Sequence, residues 1–163
     1  MISLEDKAKY QKMNQAELDQ AYICACRRDK FNEVQYLLTS PELKEYANIH
    51  AYQDEGFIQA CLAGNLKIVK YLLTSPELKE YANIHAQNDY GFIYACRNEH
   101  LKIIDYLVIE QNMNISGKLN QEMKKKNHET YEYALKLIET RDLADNMNSE
   151  LKEKSNKVLK AKL

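Results

Sequence analysis

Helix-breaking residues are scarce in this 163-residue sequence, which has only two prolines and four glycines. Both residue types disfavour helix interiors, so their scarcity favours long helical stretches. The chain also lacks an apolar run long enough to cross a bilayer, and its first residues lack the apolar core of a secretory signal. We therefore expect a cytoplasmic protein that has no membrane partner.

An excess of charge of one sign is absent as well, since 23 basic and 24 acidic side chains leave a formal net charge of −1. Such a chain has no overall field that would attract nucleic acid. The basic run at residues 124–126 is too short to change this expectation. The hydrophobic fraction of 45% is that of a folded globular protein. We expect neither nucleic-acid binding nor disorder.

The motifs of common catalytic sites are missing too. The sequence contains no glycine-rich phosphate loop, no nucleophile elbow and no His-Glu-x-x-His zinc motif. We predict that the chain is not an enzyme and that it holds no cofactor.

What the sequence does contain is an internal repeat. The segment YLLTSPELKEYANIHA occurs at residues 36–51 and again, unchanged, at residues 71–86, and a third, less exact copy begins 35 residues later. A period of this size is typical of repeat architectures, in which each unit covers the apolar face of its neighbour. The positions that recur are Ile23, Ile58 and Ile93; Ala25, Ala60 and Ala95; Cys26, Cys61 and Cys96; Phe31, Leu66 and Leu101; Val34, Val69 and Ile104; and Tyr36, Tyr71 and Tyr106.

Each unit has the pattern of two helices joined by a tight turn. Apolar residues recur at helical spacing over residues 57–62 and again over residues 66–73, with a Gly-Asn break at residues 64–65. Ser40 and Ser75 each precede a proline and a glutamate, which predicts a short extra helical turn after the second helix.

These residues resemble the ankyrin repeat. The segments AGNLKIVKYLL and NEHLKIIDYLV are similar to the ankyrin sequence GHLEIVKLLL, and ANIHA is similar to the ADVNA that closes an ankyrin unit. The resemblance covers residues 14–116. It implies an all-α, helix-turn-helix solenoid of three repeats of about 35 residues that acts by binding another protein.

The chain departs from the ankyrin pattern in two ways. EGFI at residues 55–58 and YGFI at residues 90–93 replace the TPLH tetrapeptide of the family. SPELK lengthens the unit, whereas the loop after Ala86 is shorter, so we expect no full-length β-hairpin there. Arrays with this GF dipeptide and near-identical repeats are similar to those of intracellular bacteria and large viruses. That similarity implies a protein delivered into the cytosol of a host cell, where it engages a host target.

Both ends of the array are expected to carry caps, because the outer faces of terminal repeats must be polar. We predict an N-terminal cap segment at residues 1–13, the repeat array at residues 14–116 and a C-terminal helical cap at residues 117–163. Asn14 and Glu17 have the spacing of a capping box. Two amphipathic helices are predicted in the C-terminal cap, and their apolar faces consist of Tyr131, Ala134, Leu135 and Ile138 and of Leu143, Met147, Leu151 and Val158.

The four cysteines raise the question of a metal site, but Cys26, Cys61 and Cys96 occupy the same position in successive units. Equivalent positions in packed helices lie about 10 Å apart, whereas zinc–sulfur bonds are about 2.3 Å long. That separation also exceeds the reach of a disulfide. We predict that these residues and Cys24 are free thiols, mostly buried, and that no metal is bound.

Histidines are repeated too, since His50 and His85 both lie in the sequence NIHA, and His100 lies in the turn of the third unit. A general base would be expected once, with an orienting partner. We therefore expect structural roles, in which His50 and His85 hydrogen-bond backbone groups between adjacent loops.

The ankyrin resemblance implies that the partner binds the concave side of the array, formed by the loop tips and the exposed face of each first helix. Positions there that differ between otherwise similar units have no role in the core, and tyrosine and arginine are frequent interface anchors. The predicted partner-binding residues are Tyr52, Gln53, Asp54, Gln59, Leu62, Gln87, Asn88, Tyr94, Arg97 and Asn98.

We expect a monomer that binds a partner protein. Two alternatives remain open at this point. The chain could be a regulatory or targeting module of a larger catalytic protein, or the last helix could bind a partner or form oligomers.

Overall fold

A computed structural model describes residues 2–114 and 128–160 of the chain. The chain divides into two compact units after Ile104. Every regular element of the described residues is helical. The predicted all-α class is therefore confirmed.

The first unit consists of a short N-terminal helix followed by three helix pairs. Successive first helices pack on one another, and the second helices of the first two pairs also pack together. This arrangement is the predicted helix-turn-helix solenoid. The elements are α1 (Leu4–Tyr10); α2 (Gln15–Arg27) and α3 (Phe31–Thr39); α4 (Ala51–Leu62) and α5 (Leu66–Thr74); and α6 (Ala86–Arg97) and α7 (Leu101–Asp105).

The core of this unit follows the 35-residue period. Alanine recurs where first helices approach one another, and a small side chain allows that close approach. Among the recurring positions, Ile23, Phe31 and Leu66 are half-buried and Leu101 is 46% exposed. The others are buried, as predicted. They include Ala25, Ala60 and Ala95; Cys26, Cys61 and Cys96; and Val34, Val69 and Ile104, each at most 2% exposed.

An aromatic ring of one first helix lies over a glycine of the next. Tyr22 in α2 contacts Gly56 in α4, and Phe57 in α4 contacts Gly91 in α6. A Cβ atom on either glycine would overlap the ring, so only glycine fits. This contact explains why EGFI and YGFI replace the usual tetrapeptide.

Side chains at the turns tie successive pairs together. Asn65 donates from Nδ2 to the carbonyl oxygen of Cys26 at 2.7 Å, and His100 Nε2 lies 3.0 Å from the carbonyl oxygen of Leu62. These bonds satisfy carbonyl groups near helix C-termini, which otherwise lack partners within the helix. The structural role expected for His100 is confirmed.

The SPELK insert forms a turn rather than the predicted extra helical turn. Ser40 accepts hydrogen bonds from the amides of Glu42 and Leu43, at 3.3 and 3.1 Å, which closes a β-turn with proline at its second position. The chain is then drawn back, because the amide of Ala47 bonds the carbonyl oxygen of Leu37 at 2.9 Å. A helix could not continue past this point.

The predicted capping box is present at the start of α2. Asn14 and Glu17 form a complete capping box, with bonds of 3.0 and 2.9 Å. The first residues form α1, whose Tyr10 is buried and donates to Glu33 at 2.9 Å.

The second unit contains a π-helical segment, Tyr106–Glu110, and one long helix, α8 (His128–Lys160). Tyr131 and Ala134 are buried, and α8 packs on the π-helical segment. Arg141 donates to the carbonyl oxygens of Val108 and Met113 at 3.0 and 3.1 Å.

The prediction of two C-terminal helices was wrong, because α8 runs without a break for 33 residues. No proline or glycine occurs within it that would end it. The predicted second apolar face does not cap a core either, since Leu143, Met147 and Leu151 are 58–65% exposed. The predicted boundary between residues 116 and 117, the basic run at 124–126 and the side chain of Val158 lie outside the described residues.

Candidate partner-binding surface

The first residues of α4 and of α6 form turns with an unusual backbone. Residues 52–54 and 87–89 all adopt positive φ, between 49° and 64°, although none is glycine. Each such residue costs about 1–2 kcal/mol relative to the right-handed conformation. Contacts with other parts of the chain must therefore hold each turn. The turn lies where a typical ankyrin repeat has a β-hairpin, which the shorter loop of this chain was not expected to form.

An aspartate in each unit holds these turns. Asp54 Oδ1 accepts a 2.9 Å bond from the amide of Asn83 in the next loop, and Asp19 Oδ1 accepts a 2.7 Å bond from the amide of Asn48. The two contacts are equivalent by one 35-residue period. Asp54 is only 6% exposed, so it belongs to the framework and not to a binding surface, contrary to our prediction.

The expected role of the repeated histidines was also wrong in detail. His50 Nδ1 lies 2.9 Å from Asp54 Oδ1, and His85 Nδ1 lies 2.6 Å from Asp89 Oδ1. The histidines thus contact a buried carboxylate, and the aspartate makes the bond to the neighbouring loop. The aspartates could have been recognised from the sequence, because Asp19, Asp54 and Asp89 recur with the same period.

The remaining side chains of these turns point outward. Tyr52 is 57% exposed, and Gln53 and Asn88 are exposed as well. Gln87 is half-buried, because its amide donates to the carbonyl oxygen of Tyr52 at 3.2 Å and to Glu55 at 3.3 Å. It links two loops and contributes less free surface than its neighbours.

A groove of about 450 Å³ lies between α2 and α4. Tyr52 and Gln59 of the predicted set line it, and the Gln59 amide donates to Glu55 at 2.7 Å. The other lining residues were not predicted, although several of them also vary between units. They are Gln20, Ile23, Cys24, Arg27 and Glu55.

Three side chains form an exposed aromatic and cationic cluster on α6. The rings of Tyr90 and Tyr94 are 5.8 Å apart, and the guanidinium carbon of Arg97 lies 5.9 Å from the Tyr94 ring centroid. Asn98 donates to the carbonyl oxygen of Tyr94 at 2.8 Å. Tyr90, which is 42% exposed, was missed by sequence reasoning although it occupies the position of Gln20 and Glu55 in the other units.

We call the exposed and half-buried side chains of α2, α4 and α6, together with that of Asn98 directly after α6, the variable surface. It contains nine of the ten predicted residues in exposed or half-buried positions, and Asp54 is the exception. Leu62 is half-buried at the end of α4, and Arg97 and Asn98 are exposed.

The thiols show no sign of activation. Cys26, Cys61 and Cys96 are buried, and the part of the chain that the structure describes contains no disulfide. Burial raises the pKa of Cys96 to about 12 and also raises the pKa of Cys26 and of Cys61. Thiols with raised pKa values stay protonated at neutral pH, which makes them poor nucleophiles and poor metal ligands.

No group of three or more histidine, cysteine or acidic side chains is arranged to hold a metal ion in residues 2–114 or 128–160. In the same residues, no helix combines the length and the apolar composition needed to cross a membrane.

Comparison with protein families agrees with this geometry. The family model for ankyrin repeats, in three copies, matches residues 23–119. No curated protein and no solved structure gives a significant match. The matched range covers more than half of the chain and includes α3 to α7. The chain therefore belongs to the ankyrin repeat family.

Proposed function

We propose that this protein binds another protein through the variable surface. Ankyrin repeats are generally protein–protein interaction modules. The proposal assigns that role to the first helix of each pair, including the turns that begin α4 and α6.

The cluster of Tyr90, Tyr94 and Arg97 supports this proposal most directly. Tyrosine and arginine are enriched among the residues that dominate binding energy at interfaces. The equivalent positions in the second repeat are Glu55, Gln59 and Leu62. The stacking of repeats therefore does not require the aromatic and cationic side chains.

The backbone beneath the surface favours binding as well. Asp54 and Gln87 fix the turns, and Asn65 and His100 join the helix pairs. A surface that is ordered before binding loses less entropy when the partner docks. The exposed side chains are thus carried by a framework that is already in place.

Catalysis is not part of the proposed role, since the buried thiols stay protonated and the periodic aspartates and histidines are engaged in the framework. Four free thiols suit a reducing compartment such as the cytoplasm.

Site-specific photo-crosslinking would test the surface. A photoreactive phenylalanine analogue at Tyr52 or Tyr94 should capture a partner protein from the native lysate. Tyr81 is a matched control, because it is also tyrosine, is 50% exposed and lies after the SPELK insert that follows α5. Capture of the same partner only from position 81 would contradict the proposal.

A further inference from the structure

The C-terminal half of α8 has no partner within the described residues. Every side chain from Asp142 to Lys154 is exposed, although the backbone remains helical to Lys160. Helical stability in proteins comes mostly from packing of an apolar face rather than from intrinsic propensity. A helix that extends so far into solvent therefore calls for a surface that covers it.

Three large apolar side chains mark the face that would be covered. Leu143, Met147 and Leu151 are 64%, 65% and 58% exposed and follow one another at intervals of four residues. Residues four apart lie on the same side of a helix. The result is an apolar stripe over two helical turns.

Charge divides this part of α8 into two halves of opposite sign. Residues 139–150 contain four acidic and one basic side chain, and residues 152–160 contain four basic and one acidic side chain. The net charges are therefore −3 and +3, and Leu151 lies at the boundary. The helix dipole does not account for the acidic half, because the dipole acts in the first turn and α8 begins at His128.

We propose that α8 pairs with the α8 of a second copy of this chain in antiparallel orientation. An antiparallel pair centred near Leu151 places the acidic half of each helix beside the basic half of the other. It also brings the two Leu151 side chains together and lays Leu143 and Met147 of each helix along positions 159 and 155 of the other, of which position 159 is also leucine. A parallel pair would instead place acidic beside acidic and basic beside basic, which is unfavourable.

This proposal replaces the monomer expected from the sequence, and it does not depend on the variable surface, which lies on other helices. An unidentified partner helix could cover the same stripe, but the reversal of charge about Leu151 matches the chain's own antiparallel copy. Ion pairs of this kind are screened by salt, so the dimer should be weaker at about 500 mM than at about 50 mM NaCl.

Sedimentation velocity of the full chain provides the first test. Wild-type protein should change from monomer to dimer as its concentration rises from about 1 to about 200 µM. The triple substitution Leu143→Gln, Met147→Gln and Leu151→Gln should raise the dimer dissociation constant more than about tenfold. The control is Ser149→Gln, an uncharged position on the opposite face of the helix, which should leave dimerisation unchanged. A wild-type monomer at all concentrations, or a dimer that survives the stripe substitutions, would overturn the proposal.

A charge-swapped chain tests the orientation. It carries Asp142→Lys, Asp145→Lys and Glu150→Lys together with Lys152→Glu, Lys154→Glu and Lys157→Glu. In the antiparallel arrangement, this chain should form dimers with itself as readily as wild type does. It should not form mixed dimers with wild type, because like halves would then meet. Preferential mixed dimers, detected by energy transfer between differently labelled chains, would show parallel pairing and reject the antiparallel proposal.

Discussion

Phe57 in α4 lies directly over Gly91 in α6, and a Cβ atom on this glycine would be 2.6 Å from Cε1 of the ring. The same position would be 3.3 Å from Sγ of Cys61. Both neighbours are completely buried, so neither has open space into which it could move. The spacing between two repeats thus depends on the absence of one methyl group.

We expect Gly91→Ala to destabilise the array by about 1–3 kcal/mol through overpacking, although alanine is the better helix former. The change is measured as a shift of the urea midpoint. In a Phe57→Leu background the same substitution should cost less, because the smaller side chain leaves room for the methyl group. A higher midpoint for Gly91→Ala alone would show that the ring does not occupy this position.

Removal of the Asp54 carboxylate should destabilise the turn formed by the first residues of α4. Asp54→Ala leaves the amide of Asn83 without its acceptor, and the residues with positive φ lose a contact that holds them. The expected loss in the free energy of unfolding is about 1–3 kcal/mol. Gln53→Ala, one residue earlier and exposed, is the control and should change stability little. Equal effects of the two substitutions would remove Asp54 from the framework.

Stability should fall above pH 9 because of the buried thiols. Burial raises the folded-state pKa of Cys96 to about 12, well above the ordinary value of a thiol. Above pH 9 the unfolded chain releases this proton while the folded chain keeps it, so the unfolded state is favoured as pH rises. The slope is about 1.4 kcal/mol per pH unit for each such thiol until the folded-state pKa is reached.

Urea denaturation at pH 8 and pH 10 measures this effect. Replacing Cys26, Cys61 and Cys96 by alanine should make the loss between the two pH values smaller than in wild type, whatever the stability of the variant at pH 8. An unchanged pH dependence would show that these thiols ionise equally in both states.

Substitution of Tyr94 and Arg97 by alanine should separate binding from folding. The stacking of repeats does not require the two side chains, since Gln59 and Leu62 occupy their positions in the second repeat. The melting temperature should therefore change little. If both side chains are central anchors, each contributes about 2 kcal/mol and the double variant binds its partner on the order of a thousandfold more weakly.

The control for this experiment is Val69→Ala, which lies in the core at 0% exposure and should lower stability without changing the affinity of the folded protein. Full affinity in a folded Tyr94 and Arg97 double variant would move the binding site to another face.

The sequence allowed the repeat core to be predicted, since the 35-residue period identifies Ala60, Cys61 and Val69 together with their equivalents. A period identifies positions, however, and not the contacts made by each side chain. Tyr52 and Gln59 lie at the surface, whereas Asp54 is buried. Aspartate occupies the position of Asp54 in all three repeats, yet it entered the predicted set because it lies beside Tyr52 and Gln53 in the chain.

The backbone of the turns could not be predicted from residue preferences. Tyrosine, glutamine and aspartate rarely adopt positive φ, so local propensity gives no sign of residues 52–54. The bond from the next loop to Asp54 is a tertiary contact that offsets the local cost. The SPELK turn has a similar origin, because the bond from Ala47 to Leu37 overrides the helical preference of the insert.

The C-terminal helix shows the opposite error. Two apolar faces were interpreted as two helices, but no proline or glycine in residues 128–160 ends the first helix. Arg141 lies between the two faces and contacts two carbonyl groups while remaining helical. A change of apolar face thus marked where packing ends and not where the helix ends.

The recurring bond between an aspartate and the loop one period later has an evolutionary consequence. The amide of Asn48 donates to Asp19 and joins the first repeat to the second. The amide of Asn83 donates to Asp54 in the same way and joins the second repeat to the third. Each junction is therefore interchangeable with the other, and a duplicated 35-residue gene segment would encode a layer that already fits both neighbours. Selection could lengthen or shorten the array in whole units without redesigning its core, while each added unit brings new positions at which exposed residues are free to diverge.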